Sequence, residues 1–179
     1  MDWAGFFGRR TPKVLVILGA ITIALLVTLR IVVSLSPPRE QTFSKDGFTI
    51  TLTEDFYEKN YMHHIAYYES KTAMVSVVKD YFSALAEFGV SGDTSPREYA
   101  DLIIEVNNIQ SESAEKNDLV IFEYTETVSE TEFSYLAVVF PGDEAFWLVQ
   151  FCSESENFEK MTDDFFKWAD SVRIDMTGA

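Results

Sequence analysis

The longest feature in the hydrophobic pattern is an unbroken apolar run. Val14 to Leu35 reads VLVILGAITIALLVTL, then Arg30, then IVVSL: 22 residues with one charge. As a helix it rises about 33 Å, matching a hydrocarbon core of roughly 30 Å, so the run predicts one transmembrane helix. Arg30 falls near one end, where its stem can carry the guanidinium to the headgroups. Beyond the run the pattern changes to short alternating segments. Phe43 opens a hairpin, Asp46-Gly47 is its turn pair, and Phe48, Ile50 and Leu52 alternate with Thr49, Thr51 and Thr53. Further strands are expected at Tyr61–Tyr68 and Ala73–Lys79, followed by a short helix over 80–88 stopped by Gly89.

Helical spacing follows. Ser95-Pro96-Arg97-Glu98 combines a capping box with proline at the first helical position, and Tyr99, Leu102, Ile103 and Val106 make one apolar stripe up to Asn107-Asn108. Segments 119–128, 133–140 and 145–152 are rich in aromatic and β-branched residues. Pro141-Gly142-Asp143 turns between the last two, which predicts an antiparallel meander. A closing helix is expected from a capping box of Ser153 and Glu156, with Phe158, Met161, Phe165, Trp168 and Val172 at spacings of 3, 4, 3 and 4. A stripe of that kind packs on a sheet. The pattern is that of an α+β domain.

Charge orients the chain. Arg9, Arg10 and Lys13 precede the apolar run, whereas Arg39 and Glu40 follow it, so the positive-inside rule keeps the N-terminus in the cytoplasm. A cleaved signal peptide fits the same charged start. The run is longer than the usual 7–15 residues, however, and Pro37 directly after Ser34-Leu35-Ser36 makes a poor cleavage site, which favours an uncleaved anchor. The expected organisation is a cytoplasmic segment 1–13, a span 14–35, a spacer 36–41, an extracytoplasmic domain 42–175 and a tail 176–179. From Pro37 onward, 28 acidic residues stand against 10 basic ones, a net charge of −18. That field disfavours nucleic acid. It favours a basic protein or a cationic envelope component as partner, beside the membrane itself.

Order and spacing resemble a known family. Phe43…Asp46-Gly47-Phe48-Thr49-Ile50-Thr51-Leu52 resembles the opening of the PsbP/Mog-type α/β/α sandwich. The Ser95–Val106 helix, the meander and the ending Phe165-Phe166-Lys167-Trp168-Ala169-Asp170-Ser171-Val172-Arg173-Ile174 fit the same order. Thr53 departs from it, since such sequences often carry proline there. The resemblance implies an antiparallel sheet flanked by helices and a non-enzymatic binding or assembly role. The family's named members serve photosystem assembly or a nuclear GTPase, and no residue here supports either partner.

Candidate chemistry is sparse. No Gly-rich phosphate loop of Walker or dinucleotide type occurs, and Gly89-Val90-Ser91-Gly92 lacks the spacing of a nucleophile elbow. Cys152 is the only cysteine, so no intrachain disulfide forms, and it reads as a small buried residue rather than as half of a Cys–His pair. His63-His64 are neighbours, which point to opposite faces of a strand and so do not bind one ion together. Asp163-Asp164 and Glu154, Glu156 and Glu159 lack the ligand spacing and central glycine of an EF-hand and read as a solvated helix face. No residue is therefore assigned to catalysis, cofactor or metal. The expected function is a membrane-anchored extracytoplasmic binding or assembly module without an enzymatic signature. The alternative is an extracytoplasmic hydrolase using scattered carboxylates.

Overall fold

A computed structural model of the chain describes residues 38–61 and 64–175. The expected span 14–35, the cytoplasmic segment and the tail 176–179 lie outside them. Among the described residues no helix is long and apolar enough to cross a membrane.

Two antiparallel sheets form the domain. The smaller has the order β1 (Glu40–Lys45), β2 (Phe48–Thr53), β10 (Arg173–Ile174). Its hairpin turns at Asp46 and Gly47, with φ of 49° and 85°, the paired left-handed conformation of a two-residue turn that matches strand twist. The larger sheet has seven strands in the order β3 (Tyr57–Glu58), β4 (Ala66–Glu69), β5 (Met74–Tyr81), β9 (Ala145–Glu154), β8 (Thr131–Pro141), β7 (Leu119–Val128), β6 (Ala114–Lys116). The meander β7-β8-β9 is as expected. It joins the first half of the sheet through β9, which pairs with β5 from Met74↔Cys152 to Tyr81↔Ala145.

Helices α1 (Phe82–Leu85), α2 (Pro96–Val106) and α3 (Ser155–Asp170) complete the order. α1 runs into a tight turn at Ala86–Phe88 that Gly89 ends with φ of 80°, where a side chain would be strained. The capping box of α2 is present: Glu98 N–H donates to Ser95 Oγ at 3.2 Å, and Ser95 N–H donates to Glu98 Oε2 at 2.8 Å. The helix buries Tyr99 and, off the stripe, Ala100; Leu102 and Ile103 are half-buried, and Val106, at the helix end, stays 54% exposed.

Strand alternation divides the core in two. On one face of the seven-stranded sheet, Val75, Val77, Leu136, Val138, Trp147, Val149 and Phe151 pack with Phe48, Ile50 and Leu52 of the small sheet and with Phe165, Trp168 and Ala169 of α3. On the other face, Phe122, Ala137, Val139, Phe146 and Leu148 pack with Tyr99 and Ala100 of α2. β9 is thus covered on both sides, and eight of its ten residues are buried. Side-chain hydrogen bonds fix the layers. Ser171 Oγ accepts from Thr51 N–H at 2.9 Å and donates to the Trp168 carbonyl at 2.6 Å, tying the end of α3 to β2. Tyr99 donates to the Asp80 carboxylate, tying α2 to β5.

Two expected elements are corrected. The strand read at Tyr61–Tyr68 is only β4, Ala66–Glu69, with β3 as a separate short strand. Tyr61 lies in the loop between them and packs its ring on Tyr67 at 4.5 Å, so an aromatic contact stands where ladder pairing was expected. Nor does Ser153 cap α3. It is paired with Ser134 in the sheet, β9 runs on to Glu154, and the helix begins at Ser155 without a side-chain cap.

Trp168 is 4% exposed and meets Phe56 edge-on at 5.0 Å. Trp168→Ala should therefore cost about 3–5 kcal/mol through lost burial and a cavity. Urea unfolding of the full-length chain followed by circular dichroism measures this, and an unchanged midpoint would show that the stripe is not core.

Candidate functional site

α2 is too short to cover its face of the sheet. Eleven helical residues span about 16 Å, whereas a ten-residue strand spans about 34 Å. Beyond the helix the positions on this face turn from apolar to polar, in β5 and β9 at one row and in β7 and β8 at the next. β9 carries Phe146 and Leu148 and then Gln150 and Cys152, β7 carries Phe122 and then Tyr124 and Glu126, and β5 reads back from Val78 to Ser76 and Met74. The pairing sets these side chains in two rows. One runs Tyr67↔Ser76↔Gln150↔Ala137↔Phe122, and the next runs Glu69↔Met74↔Cys152↔Tyr135↔Tyr124. All of them except Glu69, Ala137 and Phe122 line, together with His64 and Glu126, a groove of about 240 Å³.

The groove is organised by hydrogen bonds and stacking. Ser76 Oγ donates to Gln150 Oε1 at 3.0 Å, and Gln150 Nε2 donates to the Tyr124 hydroxyl oxygen at 2.8 Å, which fixes the amide across three strands. Tyr124 and Tyr135 stack at 4.6 Å and 4°, with Phe122 at 6.0 Å from Tyr124. Tyr67 donates to Met74 Sδ at 2.9 Å and meets the His64 ring edge-on at 6.0 Å. Among the described residues every buried side-chain nitrogen and oxygen has a partner.

The structure brings His64 and Cys152 into this one groove, and His63 lies outside the described residues. Burial pushes the Cys152 thiol up to about 11, partly opposed by its hydrogen bond with Tyr135 and aided by a still smaller push from the Glu126 charge. The thiol is therefore protonated at neutral pH, the opposite of an activated nucleophile. Burial also holds the phenols of Tyr124 and Tyr135 well above the ordinary tyrosine range. Asp163, Asp164, Glu154, Glu156 and Glu159 are all exposed, and among the described residues no group of three His, Cys, Asp or Glu could hold a metal ion. The groove residues themselves escaped motif reading. Their signal is the switch from apolar to polar on one strand face, repeated within two adjacent rows in β5, β7 and β9.

No protein-family profile and no curated protein matches the sequence. Among solved structures, the chain is similar to the solution structure of cyanobacterial PsbP (CyanoP) from Synechocystis sp. PCC 6803. The identity is 12% and the TM-score 0.50, over 78% of this chain and 95% of that one. It is also similar to the crystal structure of LpqN involved in cell envelope biogenesis of Mycobacterium tuberculosis, at 11% identity and a TM-score of 0.44, over 76% and 91%. The domain has a PsbP-like fold.

The buried thiol makes alkaline stability a test of the groove. Unfolded, Cys152 loses its proton near its ordinary value of 9, whereas folded it does so near 11. Between those values the unfolded state releases a proton that the folded state keeps, so stability is intact below about pH 9 and falls as the pH rises toward 11. Urea midpoints should fall between pH 8 and pH 10.5, and by less in Cys152→Ala. Equal losses in the two proteins would mean that Cys152 is not desolvated.

Proposed function

We propose that this chain is a non-enzymatic binding or assembly module, held outside the membrane by one N-terminal span with Met1 on the cytoplasmic side. The observation that carries the reading is the groove: an organised surface of tyrosines and a fixed amide, whose one thiol is kept protonated. Such a surface suits recognition through ring faces and oriented polar groups. The hydrolase alternative calls for two carboxyls in a shared pocket with their proton affinities pushed apart. Asp101, Glu105 and Glu112 share a pocket, but all three are exposed and no described Asp or Glu is buried, which favours the binding module. The anchor rests on the apolar run 14–35 and the three cations before it. The preferred partner is a basic protein or cationic envelope component, because the net charge of −18 from Pro37 onward attracts one and repels nucleic acid.

A reporter fused after Ala179 should be active outside the cytoplasm, and protease added to intact wall-less cells should degrade the domain; full protection contradicts the orientation. Partners captured from native membranes by the full-length chain should elute between about 0.1 and 1 M salt, over which the Debye length falls from roughly 10 to 3 Å. Turnover of a small substrate, abolished by one Asp or Glu substitution that leaves the fold intact, would overturn the binding reading.

A further inference from the structure

The groove has a charge character of its own. None of the residues lining it is Lys or Arg; its one carboxylate is Glu126, two positions beyond Tyr124 on the same strand face. Glu126 is exposed and belongs to none of the ion pairs among the described residues, which are Lys45–Glu58, Lys59–Glu69, Lys79–Glu144 and Lys167–Glu40. On the Tyr67 side the flanking cation Lys59 is engaged by Glu69. Beside burial, the main cause, the Glu126 charge makes a smaller contribution that opposes ionisation of Tyr124, Tyr135 and Cys152 on the groove floor. A field that disfavours a new anion favours a cation at the same place. The phenol rings add to it, because the negative face of an aromatic ring attracts ammonium and guanidinium groups. At about 240 Å³ the groove is smaller than the roughly 300–1,000 Å³ typical of small-molecule sites, so it suits one extended side chain rather than a whole cofactor.

We infer that the groove is the seat of a lysine or arginine side chain from a basic peptide segment, held among Tyr67, Tyr124 and Tyr135 and paired with Glu126. This rests on the proposed reading of the domain as a module for a basic partner, and it deepens that reading by naming the site. Gln150 sets the geometry. By donating to the Tyr124 oxygen and accepting from Ser76 it holds the phenol in place, so a cation meets an ordered wall at little cost in side-chain entropy. Arginine has the additional capacity to stack flat on a ring while forking to the carboxylate.

The test titrates hexalysine and hexaarginine against the full-length chain in a non-ionic detergent, with hexaserine and the neutral oligosaccharide chitohexaose as controls. Glu126→Gln and Tyr135→Ala should each weaken binding of the cationic peptides by about three- to fivefold, the upper part of the range for an ion pair or a cation–π contact at an exposed site. Tyr135→Phe, which keeps the ring and the packing, should stay within about twofold of the parent if its ring face is what the cation meets. The double variant Asp163→Asn/Asp164→Asn removes two charges from the solvent face of α3 and should also leave binding nearly unchanged. Equal weakening by the Glu126 and the Asp163/Asp164 substitutions would overturn the groove while leaving a diffuse attraction to basic partners standing. Failure of both cationic peptides to bind at any salt concentration would overturn the basic-partner reading as well. Binding of chitohexaose that is lost in Tyr135→Ala, with no such loss for the peptides, would reassign the groove to a neutral glycan.

Discussion

The pairing of β5 with β9 is the contact on which the rest of the domain depends. It joins two stretches about seventy residues apart in sequence into one sheet, and it places β9 where both of its faces must be covered. A strand in that position needs apolar residues at successive positions, and Ala-Phe-Trp-Leu-Val provides them. Odd positions go to the layer of α3 and the small sheet, even positions to α2. Closing a loop of that length has an entropic cost that grows only slowly with its length, and the burial along β9 offsets it.

The groove is a consequence of the same arrangement. α2 covers only part of the face to which β9 sends its even side chains, so the remaining length of β5, β7, β8 and β9 cannot be wholly apolar without leaving a sticky exposed surface. The chain fills it with residues that have apolar bodies and polar tips. Tyr124 and Tyr135 stack on each other, Gln150 is held at both ends of its amide, and Cys152 closes the floor. The outcome is a surface ordered by hydrogen bonds and stacking and polar enough to face water. Structure and net charge meet here, because the one carboxylate at the groove belongs to a domain already rich in them.

Local signals carried much of the fold. The Asp46-Gly47 hairpin, the Ser95 capping box, the three-strand meander and the Phe165–Trp168 stripe were legible because each depends on residues close in sequence and on a single periodicity. The two misread boundaries have one cause, which is that tertiary pairing overrides a local motif. Ser153 has the chemistry of a cap but is held in the ladder by Ser134, and Tyr61 has strand propensity but spends its ring on Tyr67. The groove was illegible for a related reason. Its residues come from five strands, and only the register between them shows that Tyr67, Ser76, Gln150, Tyr135 and Tyr124 are neighbours. Cys152 and His64 stood out in the sequence by type alone, and the fold gives that pair a shared location without giving the thiol reactivity.

On the proposed reading, the uncovered end of this sheet face, rather than the acidic surface in general, receives a basic partner. Ring resonances of the tyrosines, observed by NMR on the full-length chain in detergent during addition of a lysine-rich peptide, test it most directly. Tyr67, Tyr124 and Tyr135 should shift together and saturate at one affinity, while Tyr68 and Tyr99, fully buried in the two cores, stay fixed. Shifts confined to exposed tyrosines elsewhere, such as Tyr57 and Tyr81, with the groove rings unmoved, would contradict the account.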